Sequence, residues 1–422
     1  MTGHTIAEKI LAAHSLSERE IKPGDFIDAK LDLVLSHIYT AKVAIDFRKI
    51  KPKRMRKVFD PNKIFVILDH ISPPSNEKVA AAHGIIRNFV KEYGIKNFED
   101  INTGISHQIL AEKGFVRPSM LIVGSDSHTT TGGAFNAACC GIGNTDLFHA
   151  FVRGELWFRV PETIKFNVSG DLPEMVMSKD IILKIAGDYT AEVASYKAVE
   201  FTGKTMENLS IASRMTMSNM ALEVGAKFAF SSPDHTIIDW VKERSSEPFN
   251  LVTPDSDANY EKIYEMDVND LEPQVSCPHM VDNVKPISVV TGVKINQAFL
   301  GSCTNGRYED LEIAAKILDG KTIHNDVRMI VTPASKEIWL KAIKSGISET
   351  LINAGAIICN PNCGACSGYH QGMLGSGERC ISSANRNFIG RMGSEAAEIY
   401  LGSPATVAAS ALKGELTDPR DV

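Results

Sequence analysis

The chain has 422 residues, 44% of them hydrophobic and 23% charged, enough for two or three domains with cores of their own. A formal net charge of −6 excludes the general basic character of nucleic-acid and membrane-surface binders. No apolar run reaches spanning length, and Glu8, Glu18 and Glu20 interrupt the N-terminal segment, so no signal peptide, transit peptide or membrane helix is expected and the protein is expected in the cytoplasm.

In chain order, the basic run RKIKPKRMRK (48–57) is expected to be a solvated loop or helix face. KIFVILDH (63–70) reads as a strand, NEKVAAAHGIIRNFVKEYG (76–94) as a helix and SMLIVGSDSH (119–128) as a strand. AFNAACCGIG, which holds Cys139 and Cys140, reads as a helix of small residues with buried thiols. RVPETIKFNVSGDLP (159–173) reads as the entry to a second domain, and SCPHMVDNVKPI as a linker to a third. The expected division is 1–158, 159–283 and 284–422. ISVVTGVKINQAFLGSC (287–303), VRMIVTP (327–333) and GAIICN (355–360) read as strands, and YEDLEIAAKILDG (308–320) as a helix capped by its glycine. This alternation predicts an α/β fold with largely parallel sheets. Ligands of such folds bind beyond the carboxyl ends of the strands. Asp69-His70, Asp126-Ser127-His128 and Cys303 all fall where a strand run stops.

Cys363 and Cys366 in NPNCGACSG form one close pair, with no second CxxC to complete a zinc site. Cys303, in the Gly/Ser/Asn turn GSCTNGRYED, is the best remote third ligand. Three thiolates with no evident fourth suggest a [4Fe–4S] cluster with one iron open; the spacing alone leaves zinc and a redox pair as alternatives. The other cysteines read as buried or unpaired thiols. Asp69, His70, His107, Asp126, His128 and Glu200 suit proton transfer, since a carboxylate orients an imidazole and stabilises its charged form. Asn385, Arg386 and Arg391, in the Gly-containing SSANRNFIGRMG, suit carboxylate binding, or else ordinary surface ion pairs.

Taken together, DH at 69–70, GSDSHTTTGGAF at 124–135, GSCTNGRYEDL at 301–311, CGACSG at 363–368 and NRNFIGRMG at 385–393 resemble the aconitase superfamily. Its length and ELWFRVPETIKFNVSGDL resemble the large-subunit branch typified by 3-isopropylmalate dehydratase and homoaconitase. The resemblance covers essentially the whole chain. It implies three α/β/α domains around one [4Fe–4S] cluster per subunit, held by Cys303, Cys363 and Cys366, with one iron open to substrate. It implies that Asp69 and His70 protonate a departing hydroxyl. It also implies that Asp126, Ser127 and His128 form a second active-site motif, that His107 pairs with Asp126, and that Glu200 pairs with His128. Asn385, Arg386 and Arg391 match the family's carboxylate-holding loop.

The implied activity is that of a hydro-lyase acting on a hydroxy di- or tricarboxylic acid, 3-isopropylmalate first. 2,3-Dimethylmalate and the homoaconitase substrate are alternatives, and a cluster-dependent RNA-binding regulator is the rival outside the enzymes. The implied partner is a small swivel-domain subunit, in a heterodimer or heterotetramer, with no nucleic acid and no membrane. One departure stands out. Lys42 in Thr40-Ala41-Lys42 occupies a position where relatives carry Pro or Gln, and it faces either a substrate carboxylate or solvent.

Overall fold

The computed structural model describes residues 3–422 and has three parallel or mostly parallel sheets. The first has the strand order Asn97–Glu99, Ile64–Ile67, Leu33–Ser36, Leu121–Gly124, Ala138–Gly141, all parallel. Its three central strands are buried at every position, as a parallel sheet covered on both faces requires. The second sheet orders Phe228–Ser231, Ala198–Thr202, Thr163–Ser169 and Lys262–Asp267, again all parallel. The third has seven strands. Glu398–Leu401, Arg379–Ser382, Gln297–Leu300, Arg328–Val331 and Ile357–Ile358 run parallel, and the hairpin Gln274–Ser276/Val284–Pro286 adds an antiparallel edge. That hairpin begins ahead of the boundary expected at 284, because its two strands pair with each other and extend the third sheet. No helix of the described residues is long and apolar enough to cross a membrane.

Local chemistry explains the elements. The helix Glu77–Tyr93 starts at Asn76, whose side chain accepts from the Val79 N–H, and ends on Gly94 in the left-handed region. The run from 287 to 303 departs from the expected single strand: Ile287–Val290 is one helical turn and only Gln297–Leu300 is strand. Cys139 and Cys140 also depart from expectation, lying in the strand Ala138–Gly141. Asn136 at φ 59° ends the preceding 3₁₀ segment Ser127–Phe135, and the chain then enters the sheet, where both thiols are buried. The basic run 48–57 is mostly solvent-exposed, as expected.

One half-buried ion pair makes stability pH-dependent. His14 Nε2 lies 2.7 Å from Asp32 Oδ2, and Asp32 also accepts from the Leu121 N–H, tying the helix Ile6–His14 to the first sheet. Burial opposes the charge of His14, but the Asp32 carboxylate outweighs it and raises the imidazole above its ordinary value. A histidine raised by folding contributes stability that is full below the unfolded pKa of about 6.5 and is lost as pH rises through the folded value. Urea midpoints measured across pH 6 to 9 are therefore expected to fall more steeply in the wild type than in His14→Asn. Parallel profiles would refute the link.

Candidate active site

The carboxyl ends of the first sheet deliver the acid–base groups. His37 follows the strand Leu33–Ser36, Asp69 and His70 follow Ile64–Ile67, and Asp126 follows Leu121–Gly124. Two glycines permit the close approach this requires. A Cβ on Gly124 would stand 2.2 Å from Thr129 Oγ1, and one on Gly133 would stand 1.5 Å from the Ala229 carbonyl oxygen of the second sheet. The segment carrying Asp126 and His128 is thus pressed between two sheets.

Asp126 is the hub. His107 Nε2 lies 2.9 Å from Asp126 Oδ1, the His128 N–H donates to the same oxygen at 2.7 Å, and His70 Nε2 lies 3.4 Å from Oδ2. Burial opposes ionisation of Asp126, but the surrounding histidines hold it well below the ordinary carboxylate range. Asp69 Oδ1 lies 2.7 Å from His70 Nδ1, while Oδ2 accepts from the Ser106 N–H at 2.8 Å. His70 is pushed up well above its usual value: burial acts against its charge, but Cys363, Asp69 and Asp126 favour it more strongly. His37 stacks on His70 with ring centroids 4.2 Å apart. Burial, and then the charge of His70, lower His37 to about 4, so its imidazole is neutral near pH 7. His37, Asp69 and His70 come close enough together for a metal ion. However, both Asp69 oxygens are already committed to hydrogen bonds, which favours an acid–base relay over an ion site.

The sequence-implied partner of His128 is corrected here. His128 Nε2 lies 2.7 Å from Glu223 Oε1, and Arg386 Nε donates to that same oxygen at 2.8 Å. Burial opposes the Glu223 charge, yet His128 and Arg386 bring its pKa below the ordinary value. Glu200 lies elsewhere: Oε1 accepts from the Ile6 N–H at 2.9 Å and Oε2 from Tyr260 Oη at 2.6 Å. It is the buried carboxylate at the N-terminus of the helix Ile6–His14, where the helix dipole favours negative charge. Lys42 sits on the exposed side of the helix Thr40–Lys49 and is ion-paired with Asp46, away from these groups. Ser127 is exposed and lines a neighbouring cavity with Ser125, Thr130 and Lys227, apart from the cleft that holds the thiols.

That cleft is lined by Cys303, Cys363 and Cys366 together with His70, His107, Asp126, His128, Asn385 and Arg391. Cys303 follows Gly301 (φ 157°) and Ser302 (φ 73°), and Gly364 (φ 56°) turns the chain between Cys363 and Cys366. A Cβ on Gly364 would meet Thr332 Oγ1 at 2.8 Å. The buried Arg307 holds the first turn rigid by donating to the carbonyls of Cys303 at 2.7 Å and Thr304 at 2.6 Å. All three thiols are free and buried. Burial pushes Cys363 up to about 11 despite the neighbouring His70 cation, and pushes Cys303 higher still. The cleft nevertheless aims donors at sulfur: Asn219 Nδ2 at 3.3 Å and Asn385 Nδ2 at 3.4 Å to Cys303 Sγ, and Arg391 at 3.7 Å to Cys366 Sγ. Donors converging on buried sulfurs that ionise only beside a metal fit an iron–sulfur cluster.

Sequence reasoning did not find Glu223, Asn219 or Arg307. Glu223 sits in ALEVGAK and Asn219 near the end of the helix Ile211–Met220, neither with a local signal. Arg307 was visible only as a letter of the GSCTNGR motif.

An α/β protein with three parallel or mostly parallel sheets, a thiol-lined cleft and a His–Asp relay at its strand ends has the make-up of a lyase-type enzyme. Residues 8–414 match the model of the aconitase family (aconitate hydratase). The chain belongs to the aconitase family of hydro-lyases. It is 48% identical over 418 residues to 3-isopropylmalate dehydratase large subunit 1 of Methanopyrus kandleri, covering 99% of each. It is 46% identical over 422 residues to a probable methanogen homoaconitase large subunit of Methanothermobacter thermautotrophicus, covering 100% of this chain and 98% of that one. Among solved structures, the holo-form of Thermococcus kodakaraensis aconitase X matches with a TM-score of 0.50 at 10% identity, over 85% of this chain and 84% of that one. At that identity it supports the fold alone.

Proposed function

We propose that this chain is the cluster-bearing large subunit of a 3-isopropylmalate dehydratase, working with a small-subunit partner in the cytoplasm. The observation that carries this reading is the meeting of Cys303, Cys363 and Cys366 in one cleft with the His70–Asp126–His107 relay and Arg391. These thiols would hold a [4Fe–4S] cluster. When bound, such a cluster supplies Lewis acidity that weakens a carbon–oxygen bond. His70, kept protonated by Asp69 and Asp126, is poised to give its proton to the departing hydroxyl. Asp126, held ionised by His107 and His128, in turn favours the charged form of His70. Arg386 and Arg391 are the cations for substrate carboxylates, and Glu223 fixes the direction of Arg386.

The large-subunit names of the relatives support a partner, as do exposed apolar side chains adjacent in sequence to cleft residues. Tyr369 lies three residues beyond Cys366, and Phe388 and Ile389 lie between the two arginines. All three are 43–65% exposed. Because Lys42 pairs with Asp46 on the outer helix face, it gives no reason to prefer a substrate other than 3-isopropylmalate. The nearly equal identity to a homoaconitase large subunit makes the homoaconitase substrate the second arm of the test.

The test is anaerobic co-purification with a small swivel-domain subunit, followed by iron and sulfide analysis and ultraviolet assay of the unsaturated product. The expected result is a cubane complement of iron and turnover of 3-isopropylmalate ahead of homocitrate and 2,3-dimethylmalate. A cluster-free chain, or one active only on another acid, would overturn the reading.

A further inference from the structure

Lys179 is fully buried and has no carboxylate within ion-pair distance. Its ammonium donates instead to two main-chain carbonyls, Ser383 O at 2.9 Å and Ala384 O at 2.6 Å. It also lies in the first turn of the helix Ser178–Tyr189, where the helix dipole disfavours a cation. The adjacent Asp180 does not relieve it, since its oxygens accept from the Met177 and Gln274 N–H groups, each at 2.8 Å. Burial drives Lys179 down to about 7, against the pull of Cys366, Asp180, Asp310 and Cys303. A buried cation so placed costs stability, and the packing of its own helix does not require it.

What Lys179 touches gives the reason. Ser383 and Ala384 immediately precede Asn385 and Arg386. Asn385 donates to Cys303 Sγ and to Thr304 Oγ1, and Arg386 to Glu223. Ser383 Oγ in turn accepts from the Gly301 N–H at 3.0 Å, two residues ahead of Cys303. The ammonium therefore grips the short segment from which Asn385 projects into the cleft and Arg386 toward Glu223, and which braces the turn bearing the first thiol.

We propose that Lys179 is a positioning residue for carboxylate recognition: it anchors the Ser383–Ala384 main chain so that Asn385 keeps its aim at Cys303 and Arg386 its pairing with Glu223. The proposal rests on the hydro-lyase reading for the role of Arg386, but not for the anchoring itself. Its test uses the two-subunit holoenzyme carrying Lys179→Met, Lys179→Gln, Arg386→Lys and the double variant Lys179→Met/Arg386→Lys.

Lys179→Met is expected to lower kcat/KM on the order of 10- to 100-fold, mainly through KM, as small misplacements of binding groups do. Lys179→Gln, the milder change that secures a folded variant, is expected to move KM in the same direction by less. In the Arg386→Lys background the Lys179→Met loss is expected to shrink, because both changes act on one group. Amide exchange over 383–388 in the two-subunit holoenzyme is expected to quicken in both Lys179 variants. Folded variants with wild-type KM and wild-type exchange, or fully additive losses, overturn the proposal. So does a fall in melting temperature and cluster content with KM unchanged. If the wild type turns over no hydroxy acid while exchange still quickens, the functional reading fails and the anchor stands.

Discussion

Replacing Glu223 with Gln is expected to lower kcat/KM by about two to four orders of magnitude, whereas Glu200→Gln leaves it within a factor of about two. One oxygen of Glu223 serves both His128 Nε2 and Arg386 Nε, at 2.7 and 2.8 Å. A neutral amide cannot offer one carboxylate oxygen to both an imidazole and a guanidinium, so the imidazole loses its orientation and the guanidinium its direction together. Truncating one member of a buried charge network leaves the others uncompensated, at a cost of about 3 to 5 kcal/mol. Glu200 instead holds the Ile6 N–H and Tyr260 Oη. Gln keeps an acceptor for the first, and the tyrosine hydroxyl can accept from its amide. The change therefore falls on stability, by about 1 kcal/mol. Steady-state kinetics and urea melts on the two variants decide the point. Equal kinetic losses would restore the pairing implied by family resemblance.

Cys303→Ala is expected to abolish the cluster and, with it, activity by about a thousandfold or more. Cys303 is the only thiol of the three supplied by a separate loop, and both Asn219 and Asn385 point their amide hydrogens at it. Without it, the Cys363–Cys366 turn retains two ligands, too few to retain a cubane. Cys139→Ala is the matched control: that thiol lies in a buried strand of the first sheet, so its loss costs stability by about 1 kcal/mol and leaves iron and sulfide content unchanged. Iron and sulfide per chain, measured after anaerobic reconstitution, check both. A full cluster in Cys303→Ala would remove it from the ligand set.

The sequence and the structure agree best where chemistry is local. The helix over 76–94 was legible from its hydrophobic period, and its ends follow local chemistry, since Asn76 and Gly94 act within one turn. Strand ends at 69–70 and 126–128 were legible because Val- and Ile-rich runs stop at polar residues. The failures were of two kinds. Cys139 and Cys140 look helical by composition, but an αL turn at Asn136 sends them into a sheet, where tertiary burial outweighs propensity. Glu200 and Glu223 are both buried carboxylates with unremarkable neighbours in sequence, and only their approach to other segments tells them apart.

The sequence by itself determined the class of fold, the ordered motifs of the family and the three cysteines, because alternation of hydrophobic runs and the spacing of thiols are properties of short segments. The tertiary structure decided which carboxylate meets His128, that Lys42 faces outward, and that Lys179 grips the Ser383–Ala384 main chain. The His128–Glu223, Arg386–Glu223 and Lys179–Ser383 pairings join residues 95, 163 and 204 positions apart. Only the packing of three sheets around one cleft sets the distances between them, and the charge of a buried group follows from those distances.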